Sequence, residues 1–425
     1  MTNFVDVSME FALQADQTDP LRSYRDQFHL PKHSDGSDII YFCGNSLGLQ
    51  PKAVEEIMLQ ELEDWKKLGV EGHFHAKRPW MPYHEFFTEK LSKVVGALPE
   101  EVVVMNTLTA NLHLMMVSFY RPTAQRYKIV IEGGSFPSDK YAVDSQLRYH
   151  GFNPEQGLIQ LRPRMGEDTL RTEDIEAVLR KHADSIALVM LGGVNYYTGQ
   201  LFDMKRITEI GHEIGATVGF DLAHAAGNYP VQLHDWNVDF AVWCHYKYLN
   251  SGPGSIAGAF VHKNHLNQKN IPRFEGWWGH EKSSRFKMQG QFIPSATAEA
   301  WQLSNAPVFS MAPLLASLEL FDAAGMVNLR AKSLILTSYL EFLLGQIQSS
   351  RIRIITPKDS AQRGCQLSIQ VKNSDKSLFN AITEKGIIAD WREPDVIRVA
   401  PVPLYNSFMD CWKFTEILKT TLSNT

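Results

Sequence analysis

The stretch "FDLAHAAGNYPVQLHDWNVDFAVWCHYKYLNSGPG", Phe220 to Gly254, holds two apolar runs that each end in polar groups. Asp221 and His224 close the first run, and His245, Tyr246 and Lys247 close the second. Comparable short apolar runs flank them: "KIVIEGG", "SIALVML", "ATVGFDLA", "VDFAVWCH" and "GAFVHK", alternating with amphipathic segments. Alternation of that kind predicts crossover units, hence an α/β fold with a mainly parallel sheet between helices. Ligands of such sheets gather at the carboxyl ends of the strands, where Asp221, His224 and Lys247 fall.

Upstream, "YFCGNSLGLQPK" reads as a short strand and a turn, after which Pro51 is expected to open a helix. Val54, Ile57, Met58, Leu62, Trp65 and Leu68 recur at helical spacing through that segment. "NTLTANLHLMMVSFY" reads as a turn and a helix capped by Thr107 or Thr109. From about Met311 the texture changes. One long amphipathic stretch, Leu314 to Leu344, leads to "RIRIIT", "CQLSIQV", a helix around Phe379, "GIIADWREPDVIRVAPVPLYNS" and a last helix. The expected organisation is an N-terminal arm (1–50), a large cofactor-binding domain (51–310) and a small α+β domain (311–425).

Composition narrows the function. The 425 residues are 44% hydrophobic and 21% charged with a net charge of −5, which argues against a nucleic-acid partner. Four cysteines without a CxxC pair argue against a zinc site or a disulfide framework and fit a reducing cytoplasm. The opening "MTNFVDVSMEFALQADQTDP" lacks the basic start and apolar core of a signal peptide. No apolar run approaches the ~20 residues that cross a bilayer. The expectation is a soluble cytoplasmic protein with no membrane partner and no metal.

An amine at a strand end in a crowded pocket can form a Schiff base with a carbonyl. If that carbonyl belongs to pyridoxal phosphate, the protein must add a carboxylate for the pyridine nitrogen, faces for the ring, and donors for the phosphate. Asp221, His224, Lys247 and Tyr246 can fill such roles, with Thr109 at a helix N-terminus and the aromatic of "FPSD", Phe136 to Asp139. Each residue also has a structural explanation. Asp221 could cap a helix, Lys247 could be a solvated surface group, His245 and Cys244 could be core, and Trp277 and Trp278 of "GWWGH" could pack a core or an interface.

Together, "DLAHAAGN" and "HYKYLNSGPG" resemble the pyridoxal-phosphate enzymes of the aspartate-aminotransferase fold, fold type I, and specifically the kynureninases. The resemblance runs through "YFCGNSLGLQPK", "KRPW", "LTANLHLMM", "FPSDKYAVDSQL", "YYTGQ", "FKMQGQFIP" and "RVAPVPLYNSF". It implies that Lys247 is the Schiff-base lysine and Asp221 the pyridinium partner. Leu108, Thr109, Phe136, Pro137, Ser138, Asp139, His224 and Tyr246 match cofactor-contacting positions. Trp277 and Asn305 match residues that reach the site across a homodimer interface. The resemblance further implies that Tyr197 assists proton transfer, that Arg398 grips the substrate α-carboxylate, and that Ser46, His73 and Asn305 read the substrate's aromatic ring. Gly192 departs from the pattern, standing where the family often has a hydroxyl residue.

The implied reaction is hydrolytic Cβ–Cγ cleavage of L-kynurenine or 3-hydroxykynurenine. A cysteine desulfurase or class V aminotransferase, and a non-catalytic metabolite-binding relative, remain as alternatives. A desulfurase needs a cysteine on a mobile loop, and none of Cys43, Cys244, Cys365 and Cys411 lies in an obvious one.

Overall fold

The computed structural model describes residues 4–423 except 269 and 289. Gln289 of the "FKMQGQFIP" motif and the first three residues of the opening stretch lie outside that set. The apolar runs form a seven-stranded sheet in the order Val102–Val104, Ala257–Val261, Phe240–Cys244, Thr217–Asp221, Ile186–Gly192, Lys128–Glu132, Leu158–Leu161. Ala257–Val261 runs against both its neighbours, and the remaining pairs are parallel.

Alternate residues of each strand supply opposite cores. Val130, Val189, Leu191, Val218, Phe220, Ala241 and Trp243 pack on one face, and Ile129, Ile131, Leu188, Met190, Phe240 and Val242 on the other. Both faces are therefore dry. That is why the strands read as continuous apolar runs instead of alternating ones.

Pro51 does not open the following helix: it bridges to Phe28, and the helix spans Ala53–Leu68. Thr107 takes the N-cap position of Leu108–Phe119, without a side-chain bond to the helix. The amphipathic stretch after Met311 is two helices, Val308–Ala324 and Met326–Gly345, bent by 80° at Gly325, whose φ is +74°. The first of them straddles the expected boundary at 311. It packs on Ala53–Leu68 and gives Met311, Leu314, Leu318 and Phe321 to the core of the main sheet.

Beyond Gly325 a second core forms around a four-stranded antiparallel sheet, ordered Asp390–Arg392, Val396–Val399, Leu367–Val371, Ile352–Ile354. Ala12, Ile40 and Phe42 of the N-terminal segment belong to that core, and Ile40–Tyr41 pairs with Ile387–Ile388. Among the described residues, no single helix is long and apolar enough to cross a membrane.

Candidate active site

Thr217–Asp221 and Phe240–Cys244 are neighbours in the sheet and run parallel, so their carboxyl ends open on the same side. Asp221 ends the first, and Lys247 follows the second by one short turn. Their side chains, with those of Leu108, Thr109, Glu132, Phe136, Ser138, Asp139, His224 and Tyr246, line one cavity together with Gly192 and Tyr196. Pro137 is absent from the lining and starts the helix Pro137–Tyr149, where its missing N–H is harmless.

Lys247 Nζ lies 3.0 Å from His224 Nε2 and 5.9 Å from the centre of the Phe136 ring. His224 is held far below the ordinary imidazole range by burial, then by Lys247 and by the charges of Arg398 and Arg392. The neutral ring accepts at Nε2, which leaves its buried Nδ1 without a partner. Asp221 Oδ1 accepts the Ala223 N–H at 2.7 Å. Burial pushes the Asp221 carboxyl upward, opposed by that N–H and by Lys247. Asp139 is pushed well above the carboxylate range, first by burial and then by Asp221 beside it. Its Oδ1 is buried and unpartnered.

The helices Leu108–Phe119 and Pro137–Tyr149 point their N-termini at the cavity, and Thr109 Oγ1 and Ser138 Oγ meet there at 2.7 Å. Two convergent N-termini with hydroxyls make a place for a phosphate. The orphaned Nδ1 and Oδ1, the carboxylate, the amine and the Phe136 face are the donor set a phosphorylated pyridine aldehyde requires. The residues present fit pyridoxal phosphate. The bland explanation of Lys247 fails, because it is not solvated on the surface; that of His245 holds. His245 is buried, its pKa is depressed to about 4 by that burial, and it bonds Trp243 and the Ile256 carbonyl.

Arg398, on Val396–Val399, is 1% exposed and is held by ion pairing with Asp390 and by the Tyr196 carbonyl. Its guanidinium and that of Arg392 each lie 5.9 Å from the Tyr196 ring, which stands 5.3 Å from Phe136. The arginines thus reach the cavity's rim from the small sheet. Gly48 N–H bonds the Tyr246 carbonyl at 2.8 Å, which seats the turn carrying Ser46 on the lysine loop.

Four of the expected residues stand elsewhere. Tyr197 is outside the cavity lining and feels the charges of Asp395, Asp168 and Arg353, whereas Tyr196 lines it. Trp277 is 45% exposed, Asn305 is exposed, and His73 packs on Trp80 with its Nδ1 on the Val70 carbonyl. Three groups in or beside the cavity were not singled out from sequence: Glu132, Tyr196 and the Arg392–Asp390 pair. Glu132 ends "KIVIE" as Asp221 ends "TVGFD", and that parallel was the available signal.

The cysteines offer no exposed nucleophile. Cys244, Cys365 and Cys411 are buried, and the half-buried Cys43 thiol is pushed up to about 11 by burial and by Asp390.

Comparison with known proteins agrees with this geometry. Residues 329–418 match the kynureninase C-terminal domain. Kynureninase of Koribacter versatilis is 55% identical over 411 residues, 97% of both chains. Kynureninase of Myxococcus xanthus is 56% identical over 412 residues, again 97% of both. Among solved structures, the cysteine desulfurase CsdA of Escherichia coli superposes with a TM-score of 0.76 over 95% of this chain and 98% of that one. At 18% identity that likeness speaks for the fold alone, the fold type I architecture. Near-complete coverage at more than half identity settles kinship, and this chain belongs to the kynureninase family.

Proposed function

We propose that this protein is a kynureninase, a pyridoxal 5'-phosphate-dependent hydrolase acting on a carbon–carbon bond. It cleaves Cβ–Cγ of L-kynurenine, 3-hydroxykynurenine or both, releasing L-alanine and anthranilate or 3-hydroxyanthranilate, in tryptophan breakdown and towards NAD. The observation that carries this reading is the full-length identity to kynureninases, 55% over 97% of the chain.

When bound, the cofactor supplies an aldehyde carbon that condenses with an amine and a protonated ring that withdraws electrons from the bonds at Cα. Lys247 would hold the cofactor through its amine and, when that amine is free, would take the Cα proton and return it. His224 stays neutral and accepts from Lys247, and its free Nδ1–H is available to the ligand. Asp221 would pair with the ring nitrogen and hold it protonated, with Asp139 beside it. Thr109, Ser138, Tyr246 and the first N–H groups at Leu108 would bind the phosphate, and Phe136 would offer a face to the ring. Arg398 binds the substrate carboxylate through its planar fork, pre-aimed by Asp390. Tyr196 is better placed than Tyr197 to trade protons with the γ-carbonyl hydrate and with Cβ.

Trp277, Asn305 and His73 lie outside the cavity of a single chain. Their positions support a homodimer in which a second copy brings Trp277 and Asn305 to the phosphate and the substrate ring, with His73 and Ser46 also reading that ring. Unpaired cysteines support a cytoplasmic location. Purified protein incubated with kynurenine and pyridoxal phosphate is expected to develop anthranilate fluorescence. No product from either kynurenine or 3-hydroxykynurenine would end the reading.

A further inference from the structure

Glu132 ends the strand Lys128–Glu132, is 5% exposed, and lines the cavity beside Gly192 and Asp221. Its Oε1 accepts the Gly192 N–H at 3.1 Å. Gly192 is the register partner of Asp221 across the sheet, and the Gly193 N–H donates to the Asp221 carbonyl at 2.8 Å. The Glu132 carboxyl therefore anchors the strand end that in turn anchors the aspartate's backbone. A Cβ on Gly192 would stand 2.8 Å from Glu132 Oε1 and 3.4 Å from the Val194 carbonyl oxygen. The first distance is shorter than real carbon–oxygen contacts, so one residue or the other would have to move. Space, not backbone conformation, sets the cost of a side chain here, and that cost depends on how far the Glu132 carboxyl can give way. The polar group that a hydroxyl residue at 192 would supply comes instead from the neighbouring strand.

We propose that Glu132 is a positioning residue of this site: its carboxyl occupies the space of a side chain at 192, braces the end of the strand beside Asp221, and by its charge sets the field in which Asp221 meets the ring nitrogen. The inference rests on the cofactor assignment above. The ionisable groups facing Glu132 are Asp221, from the strand beyond Gly192, and Asp139, from the helix Pro137–Tyr149, with Lys247 and His224 behind them. Burial first, and Asp221 after it, hold the Glu132 carboxyl up at about 7, against the Gly192 N–H and Asn195. Such a group carries a proton in mild acid and adds a negative charge to the cavity wall above neutrality.

The test uses the cofactor-loaded protein and two readouts besides turnover: the dissociation constant for pyridoxal phosphate, and the pH titration of the bound cofactor's visible absorbance. Gly192→Ala is expected to weaken cofactor binding about tenfold in the wild-type background and less than about threefold in a Glu132→Ala background. Equal losses in both backgrounds would overturn the shared space. Glu132→Gln keeps an acceptor for the Gly192 N–H and cannot ionise. It is expected to hold the affinity within about threefold while removing an inflection near pH 7 from the absorbance titration. Superimposable titrations of the two proteins would overturn the electrostatic role. Borohydride labelling of Lys247 in the wild type reports on the cofactor assignment by itself. Its failure there would take both proposals down, whereas unchanged variants of a labelled protein would remove this one alone.

Discussion

The strands Thr217–Asp221 and Phe240–Cys244 carry a buried acid at each end of their shared edge, and the two acids are treated in opposite ways. At the amino end, just ahead of Phe240, Asp239 Oδ2 accepts from the Val218 N–H at 2.8 Å and from His212 at 2.9 Å, while Oδ1 meets His265 at 2.8 Å. Its carboxyl is pulled down to about 2 by those donors, despite burial that would raise it. At the carboxyl end, Asp221 has one backbone donor and shares its surroundings with Asp139 and Glu132, and burial pushes all three upward. The amino end is a satisfied staple. The carboxyl end leaves His224 Nδ1 and Asp139 Oδ1 buried and unpaired, an arrangement that costs stability and is retained where a ligand completes it.

The largest effects belong to the unsatisfied end. Lys247→Ala is expected to lower turnover by about three orders of magnitude or more, because the amine proposed to carry the cofactor and the proposed base for Cα are one atom. Borohydride should fix the cofactor to a peptide containing Lys247, and a labelled peptide elsewhere would break the contrast. Asp221→Ala comes next. Loss of a charge-assisted hydrogen bond should weaken cofactor binding by about 1.5–3 kcal/mol, and the rate should fall further as the ring loses its proton. Asp221→Glu should recover part of it. If Asp221→Ala turns over like the wild type, the residue is a cap for the Ala223 turn and no more.

The parts of this site that could be read from sequence are those carried by continuous runs. "TVGFD" and "FAVWC" had to be buried strands, so Asp221 and Lys247 had to share an edge. What stayed hidden depends on register and on turn phase. The closeness of Glu132 and Gly192 arises from pairing between segments sixty residues apart, which no local pattern encodes. Tyr196 and not Tyr197 lines the cavity, at a turn where Asn195 Oδ1 accepts from the Tyr197 and Thr198 N–H groups. The bend at Gly325 interrupts a stretch that is apolar on both sides of it, so periodicity alone carries no break there. Trp277 and Asn305 are exposed, and the proposal that a second copy brings them to the site is one that a single chain carries no mark of.

A smaller effect is expected at the rim. Arg398 is more buried than any of the staple residues and is already paired with Asp390, so substrate must join an existing ion pair instead of meeting a bare charge. Arg398→Lys keeps the charge and loses the fork, and KM should rise roughly 10–100-fold, or about 1.4–2.8 kcal/mol, with cofactor absorbance unchanged. Loss of the cofactor with KM intact would make Arg398 structural, a second staple.

The smallest effect separates the two ends by pH. The folded pKa of Asp239, about 2, lies below the 3.8 of a free aspartate, so its stabilisation, of roughly 2 kcal/mol, is complete above 3.8 and is lost as pH falls through 2. His212 runs the other way. Its pKa is raised, first by Asp239, so its contribution is complete below about 6.5 and disappears as pH rises through the folded value. The staple should therefore be tightest between about pH 4 and 6.5. His212→Gln is expected to lower the thermal midpoint by about 2 °C at pH 5.5, at fixed protein and cofactor concentration, with the deficit shrinking towards pH 9. Activity at pH 7.5 should be untouched, because the cluster sits at the far end of the strands from Lys247. A deficit that grows with pH would mean the imidazole acts through packing, and that the contrast between the two ends is not electrostatic.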